Sequence, residues 1–439
     1  MKLHNHQALG KRSPLRLFLI LTLALALISG CSSSGDDHTE ASEAPNPGDE
    51  PNGENLIVGT PDGPQSLAFV STRASDFSSG QLIRLSLTEG NIQTGEYTGT
   101  GSDIDVDNDS SGVYQVGRFG IDSITRFDPL DTSLAYYQLS VNGEDTQTAN
   151  PQDLAFVDDS KGYLTRRNSD KLWIIDPQPD AMPATTDDFK LGEIDLGAYD
   201  NDLPNMTDAI IVDNKLFVLL ERLNELPNGF QVPDKPGYVA VFDTLTDQEI
   251  PTGQSGNDLN GIRLQVNNPT ALQYNESTGQ IYVVGRGNFT QNDEITTDYY
   301  SGGVQVIDPT TYQSSLLLDD GNADQNNGYF LDGIVVSSTL AYIVTGVPED
   351  SEQLLSPLDT QLRTFNPDTG ALSDPISDPL IAGKQISVLA IGPDNHLWVG
   401  IDGQTPGFAR IDLQNNTVDP NPVVLSLIPS GIAFLSVGP

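Results

Sequence analysis

The sequence predicts an all-β protein, a seven-bladed β-propeller closed by a C-terminal strand that completes the first blade. Three observations carry that prediction. A single unit recurs seven times between residues 57 and 439, and each copy holds short apolar runs separated by turn residues. Most copies end their third run on a shared signature: Phe127-Asp128-Pro129, Ile175-Asp176-Pro177, Phe242-Asp243-Thr244, Ile307-Asp308-Pro309, Phe365-Asn366-Pro367 and Ile411-Asp412-Leu413, with Leu85-Ser86-Leu87 as a weaker first copy. From Ser86 to Asp412 there are six intervals of about 54 residues, the four-strand propeller period with loop insertions.

The elements follow in order within the clearest unit. Residues 151–157 read as a first strand, 162–166 as a second, 171–177 as a third and 190–196 as a fourth, each a short apolar run bounded by Asp, Gly, Pro or Ser. The ends of the chain fit the same plan. The first unit opens at 66–72 with what should be its second strand, and nothing before it reads as a first. Ser430-Gly431-Ile432-Ala433-Phe434-Leu435 resembles the opening of another unit, Asp332-Gly333-Ile334-Val335-Val336, and nothing follows it. Each end lacks what the other has, so the last strand is expected to complete the first blade and remove the open sheet edges.

Residues 1–31 read as a processing signal. Lys2, Lys11, Arg12 and Arg16 precede an apolar run at 17–28 that ends in Ile28-Ser29-Gly30-Cys31. The run is about twelve residues, short of the roughly 20 needed to span a bilayer. The pattern resembles the bacterial lipoprotein signal, which implies lipidation of Cys31 and cleavage before it. Ser32 stands where that family's inner-membrane retention signal would place Asp, so the expected location is the outer membrane, on its periplasmic face or at the cell surface. Cys31 is the sole cysteine, which leaves no disulfide framework, thiolate metal site or catalytic thiol. Residues 32–55 are Ser, Gly, Asp, Glu, Pro and Asn with almost no apolar residue, and read as a disordered acidic tether. Residues 56–439 are then the propeller, expected to be a monomer.

All 61 acidic residues follow Cys31 and 17 of the 21 basic ones do, so the processed chain carries a net charge of −44. Such a surface repels phosphate backbones, which argues against nucleic acid as a partner and leaves the lipid anchor as the membrane contact. Of four histidines, only His396 lies in the propeller, so histidine-rich metal sites and most Ser-His-Asp arrangements are ruled out. Trp173 and Trp398 are too few for the tryptophan repeats of quinone-dependent propellers.

Two repeated positions stand out. Where each first strand begins the chain places Asp103, Asp153, Asp208, Thr270, Asp332, Ser387 and Ser430. Near the end of the second strand it places Arg73, Arg118, Arg166, Arg222 and Arg286, five of the eleven arginines beyond Cys31. Both positions approach one face of a propeller, so Asp and Arg are expected to pair between neighbouring blades. The same arginines are candidates for a charged, ligand-binding ring at the channel mouth. No cofactor is called for, although calcium is the metal worth testing, since hard oxygen ligands abound. Asp320, Asn322, Asp324 and Asn326 alternate in a loop expected on the mouth face. The run Asp105, Asp107 and Asp109 lacks the glycine and glutamate of an EF-hand and is expected to be a turn.

The repeats resemble the bacterial YVTN-type propellers through Val116-Gly117-Arg118, Leu164-Thr165-Arg166 and Val284-Gly285-Arg286, each followed by a strand ending near Ile-Asp-Pro. The resemblance covers nearly all of 57–439 and implies fold strongly and function poorly. Thr345-Gly346 and Gly400-Ile401 replace the arginine in units six and seven, so the ring is expected to be incomplete there. The leading expectation is a non-catalytic envelope module for binding or scaffolding. The alternative is a metal-dependent, lactonase-like hydrolase, for which the resemblance to that propeller class implies Asp103, Asp153, Asp208 and Asp332 as metal candidates. Long connections at 223–236, 288–301 and 348–360 would bring Phe230, Phe289, Tyr299 and Tyr300 to the mouth face. That composition suits an envelope protein or small ligand bound over blades four to six.

Overall fold

The computed structural model divides into two units, Met1–Gly59 and Thr60–Pro439. It describes residues 65–437 of the second, apart from 89–90, 182–183, 226–230, 234, 257–258, 288–299, 323–324 and 349–357. Six four-stranded antiparallel sheets and one five-stranded sheet form the blades. Blade two is Ile104–Asn108, Val113–Gly117, Ser123–Asp128 and Asp131–Ser140. Blade three is Pro151–Asp158, Lys161–Arg166, Lys171–Ile175 and Lys190–Asp195. Blade four is Met206–Val212, Lys215–Leu220, Pro236–Asp243 and Ile262–Asn267, and blade five is Pro269–Asn275, Gln280–Gly285, Gly303–Ile307 and Ser314–Asp319. Blade six is Tyr329–Val335, Ala341–Pro348, Leu358–Asn366 and Ala371–Pro375. Blade seven is Gln385–Ile391, His396–Asp402 and Gly407–Asp412, with two short pieces, Thr417–Val418 and Val423–Val424, sharing the place of its fourth strand.

Blade one is assembled from both ends of the ring. Gln65–Arg73, Gly80–Thr88 and Asn91–Thr100 form its outer three strands, and Ile428–Val437 pairs antiparallel with the first of these, Leu67 opposite Leu435 and Phe69 opposite Ala433. The protein is therefore a seven-bladed β-propeller closed by its C-terminal strand, as the unmatched ends of the repeat require.

The two-residue period of a strand explains how the blades hold together. Alternate side chains leave opposite faces of a sheet, and here both faces are buried against neighbours. In the second strand of blade four, Leu216, Val218 and Leu220 pack with Tyr163, Leu172 and Tyr238 toward blade three, while Phe217 and Leu219 pack with Ile281 and Val283 toward blade five. Seven such apolar clusters fill the seven joints. At the closing joint, Trp398 of blade seven meets Phe408 at 5.3 Å and Phe434 of the C-terminal strand at 5.7 Å, both edge to face.

Candidate functional site

The mouth of the channel is set by a bulge that recurs in the innermost strands. The pairing register shifts between Pro151 and Leu154, Met206 and Asp208, Pro269 and Ala271, and Phe330 and Asp332. Blade two pairs without a shift, from Ile104 opposite Gly117 to Asn108 opposite Val113. The extra residue pushes the following side chain toward the channel, so the carboxylates in one register are Asp105, Asp153, Asp208 and Asp332. Asp103 is not among them. Its carbonyl accepts the Arg118 N–H as the carbonyls of Asn150 and Asn268 accept those of Arg167 and Arg286, so it belongs to the connection ahead of the strand. Asp105 and Asp107 likewise lie within the innermost strand rather than in a turn, and only Asp109 caps the turn that follows.

The same register re-sorts the arginines. Arg118, Arg167 and Arg286 are equivalent, and Glu221 takes their place in blade four, its N–H bonding the Asn205 carbonyl. Arg166 sits one residue earlier, so its side chain turns into the protein, fully buried, with Nη1 3.0 Å and Nη2 3.1 Å from the Asp145 carboxylate and Nε 3.0 Å from the Val141 carbonyl. Arg222 sits one residue later, at φ 59°, and donates to the carbonyls of Tyr199 and Pro236. Arg73 reaches Asp402 of blade seven at 2.9 Å and lies 4.6 Å over the ring of Phe77. The repeated arginines thus do three different jobs.

Pairing between blades is only in part the expected one. Arg167 meets Glu221 of the next blade at 2.7 Å, and Arg73 meets Asp402 across the closing joint. Arg118 instead stays with Asp103 at 2.8 Å and Asp105 at 3.4 Å, both on its own blade. The carboxylates of the innermost strands latch onto backbone. Asp107 accepts from Leu154 N–H at 3.2 Å, Asp153 from Ala209 N–H at 2.8 Å, and Asp208 from Leu272 N–H at 2.8 Å, each on the following blade. Asp332 accepts instead from Gly333 N–H of its own strand, at 2.7 Å. Thr270 continues the series through the Leu331 carbonyl and Ser430 through that of Ile104, while the hydroxyl of Ser387 has no partner. Gly431 makes room for the ring, since a Cβ there would fall 1.9 Å from Asp105 Oδ1.

Burial raises the affinity of these carboxylates for protons. Asp153 is pushed up to about 6, chiefly by burial, against the pull of its Ala209 N–H bond. Asp208 is pushed well above the usual range by burial and then by the charge of Asp153, and Asp107 by burial and by Asp153 and Asp105. Burial also raises Asp332 to about 6, and raises Glu221 despite Arg167 beside it. The Asp105 side chain keeps 31% of its surface on the channel, yet the wall packed around it still disfavours its charge.

Between the latch and the mouth lies a polar cavity of about 300 Å³, walled by blades two to five through Asp105, Arg118, Asp153, Arg167, Asp208 and Glu221, with Gln152, Thr207 and Thr270 completing it. Thr207 is the bulge residue of blade four, and its buried Oγ1 has no hydrogen-bond partner. Arg167, Glu221 and Thr207 were not legible as site residues, because the repeat pattern draws the eye to Arg166. No arginine stands at the ring position in units six and seven: Gly346 takes it in blade six and Asp402, which pairs with Arg73, takes it in blade seven.

The remaining candidates scatter. Phe230, Phe289 and Tyr299 lie outside the described residues, as does Asp324, and Tyr300 is half-buried. Asp320 is buried and accepts from Gly302 N–H, and burial raises it to about 6. Asn322 and Asn326 are exposed on a small hairpin, their oxygens accepting from Gln325 and Gly328 N–H. No group of three or more His, Cys, Asp or Glu side chains among the described residues is placed to hold a metal ion. His396 opens a strand at the opposite face, its Nδ1 2.8 Å from the Asp394 carbonyl.

No protein-family model matches the chain, and no curated protein matches it. Among solved structures it is similar to apo AztD from Citrobacter koseri, at 13% identity over 86% of this chain and 99% of that one, with a TM-score of 0.44. It is similar to the Dos1 propeller at 11% identity, covering 82% and 86%, TM-score 0.45. A third, virginiamycin B lyase from Staphylococcus aureus, gives 12% identity, 78% and 93% coverage and a TM-score of 0.42. Likeness at this level says nothing of what the chain binds, and the propeller stands on its own seven sheets and their pairing.

Proposed function

We propose that this is a lipid-anchored envelope propeller of the YVTN-like kind, a non-catalytic module that binds a small polar ligand or a segment of an envelope partner at its channel mouth. One observation carries the reading: the mouth cavity gathers guanidinium, carboxylate and hydroxyl groups from four blades, and the Thr207 hydroxyl is not used by the fold. Recognition sites of this kind combine a preformed concavity with a few convergent polar groups. The lactonase-like alternative needs ring carboxylates turned to a metal, whereas Asp153 and Asp208 each hold a backbone N–H of the next blade and Asp332 holds that of Gly333. Cys31 supplies the anchor in this reading.

The test is site-specific photocrosslinking in intact cells, with the probe at Gln152 in the cavity wall and, as control, at Asp159 in the first-to-second-strand turn on the opposite face. Adducts from 152 and not from 159 are expected. Adducts from 159 alone, or equal yields from both, would reject the mouth as the binding face. A stoichiometric divalent ion in protein purified without added metal, together with lactone hydrolysis, would favour the alternative.

A further inference from the structure

We propose, resting on the reading that the mouth is the binding face, that Phe77 and Phe119 anchor a basic segment of a partner polypeptide over blades one and two. Phe77 is 63% exposed and Phe119 46%, and each occupies the turn from second to third strand of its blade. Both turns follow a mouth-side arginine, Arg73 in one blade and Arg118 in the next, and Arg118 also walls the cavity.

The backbone at Phe77 points to a role outside the fold. Its φ of 59° lies in the left-handed region that bulky side chains rarely adopt. Of the eleven non-glycine residues there among the described residues, eight are Asp or Asn, whose short polar side chains tolerate it. In two others the fold recovers the cost: Arg222 donates to the carbonyls of Tyr199 and Pro236, and Tyr312 packs on the core between blades four and five, with Lys215 Nζ 5.4 Å from its ring. Phe77 belongs to none of the seven apolar clusters. Its turn is closed by Ala74 N–H to the Ser79 carbonyl at 2.8 Å, Phe77 N–H to the Ala74 carbonyl at 3.0 Å and Ser78 N–H to Asp76 Oδ1 at 3.1 Å, none of which needs an aromatic ring. The Arg73 guanidinium, 4.6 Å from the centroid, fixes the ring's orientation and leaves most of it in solvent. Backbone strain of this kind persists at ligand clamps, where it presents a side chain.

Charge selects the occupant. Arg73 is paired with Asp402 at 2.9 Å and Arg118 with Asp103 at 2.8 Å, so both guanidiniums are already neutralised. Asp76, next to Phe77, is exposed, and the processed chain carries a net charge of −44. An acidic partner or a second copy of this chain is repelled, and a basic segment is drawn in. Aromatic anchors on two neighbouring blades suit a segment lying across both turns, its apolar side chains on the rings and its lysines or arginines toward the carboxylates.

Photocrosslinking in intact cells from Ser75, beside Phe77, and from Gln152 in the cavity wall tests it. An adduct from position 75 is expected, on a peptide of net positive charge. Phe77→Asn supplies a residue type that left-handed turns accept, so its Tm should equal or exceed that of wild type, while the yield from 75 falls about fivefold or more. Phe77→Tyr, which keeps the ring, should retain the yield. Asp76→Asn keeps the oxygen that accepts from Ser78 and removes the charge, and should lower the yield with the Tm unchanged. Adducts from 152 alone would leave the mouth as the binding face and overturn this assignment, and none from either position would overturn both. A yield from 75 that survives Phe77→Asn, an adduct on an acidic segment, or a Tm lowered by Phe77→Asn would also overturn it.

Discussion

Replacing Arg166 by alanine should cost the propeller about 3 to 4 kcal/mol, and the figure can be built from its contacts. The guanidinium is fully buried and bidentate to Asp145, and it also donates to the carbonyls of Val141 and Lys171 and to Ser169 Oγ. It lies 4.3 Å over the ring of Trp173. Breaking a buried pair by removing one partner costs about 3 to 5 kcal/mol. The lower half applies here, because the Asp145 side chain keeps 22% of its surface in contact with solvent and keeps Ser169 as a donor. The Val141 carbonyl is left unsatisfied, at about 1 to 3 kcal/mol, although water entering the vacated space offsets part of that. Arg166→Lys retains charge but not the planar fork, and should recover less than half of the loss. Equilibrium denaturation in urea, with Asp145→Asn and the double variant completing a cycle, gives the pairwise part directly. An Arg166→Ala protein within about 1 kcal/mol of wild type would refute the reasoning, since no surface ion pair is expected to be worth more than that.

Two further outcomes follow from the ends of the chain. Deleting residues 428–439 strips blade one of its innermost strand and uncovers Trp398; Ile428 and Leu435 alone account for about 1.5 to 3 kcal/mol each. That approaches a typical total of about 5 to 15 kcal/mol, so loss of the cooperative melting transition is expected, and a truncated protein melting within a degree or two of the parent would contradict closure. Cys31→Ala should leave the signal uncleaved and abolish acyl labelling; release of a soluble, processed chain would instead indicate an ordinary secretory signal.

The ring was legible in the sequence because its cause is local and repeated. Each blade needs strands with apolar side chains on both faces and a tight turn after Ile-Asp-Pro, and those demands recur at a fixed interval. The closing strand was legible for a simpler reason, that each end of the chain lacked the other's piece. The site was less so. A single bulge residue, Gln152 in blade three and Thr207 in blade four, shifts the register of the innermost strand, and blade two lacks it. Counting from the strand start therefore selects Asp103 where the fold selects Asp105. The adjacent pair Arg166 and Arg167 hides a second ambiguity, since one side chain enters the core and the other faces the channel. Only the pairing of Arg167 N–H with the Asn150 carbonyl decides which is which.

The central claim is that the mouth cavity binds something beyond the fold's own needs, and Thr207→Val tests it most directly. Valine matches the shape of threonine and removes only the Oγ1 that no group in the ring uses. An unchanged or slightly higher Tm is expected, together with a clear loss of photocrosslinking from position 152 in intact cells. An unchanged crosslinking yield from that position at equal protein level would contradict it.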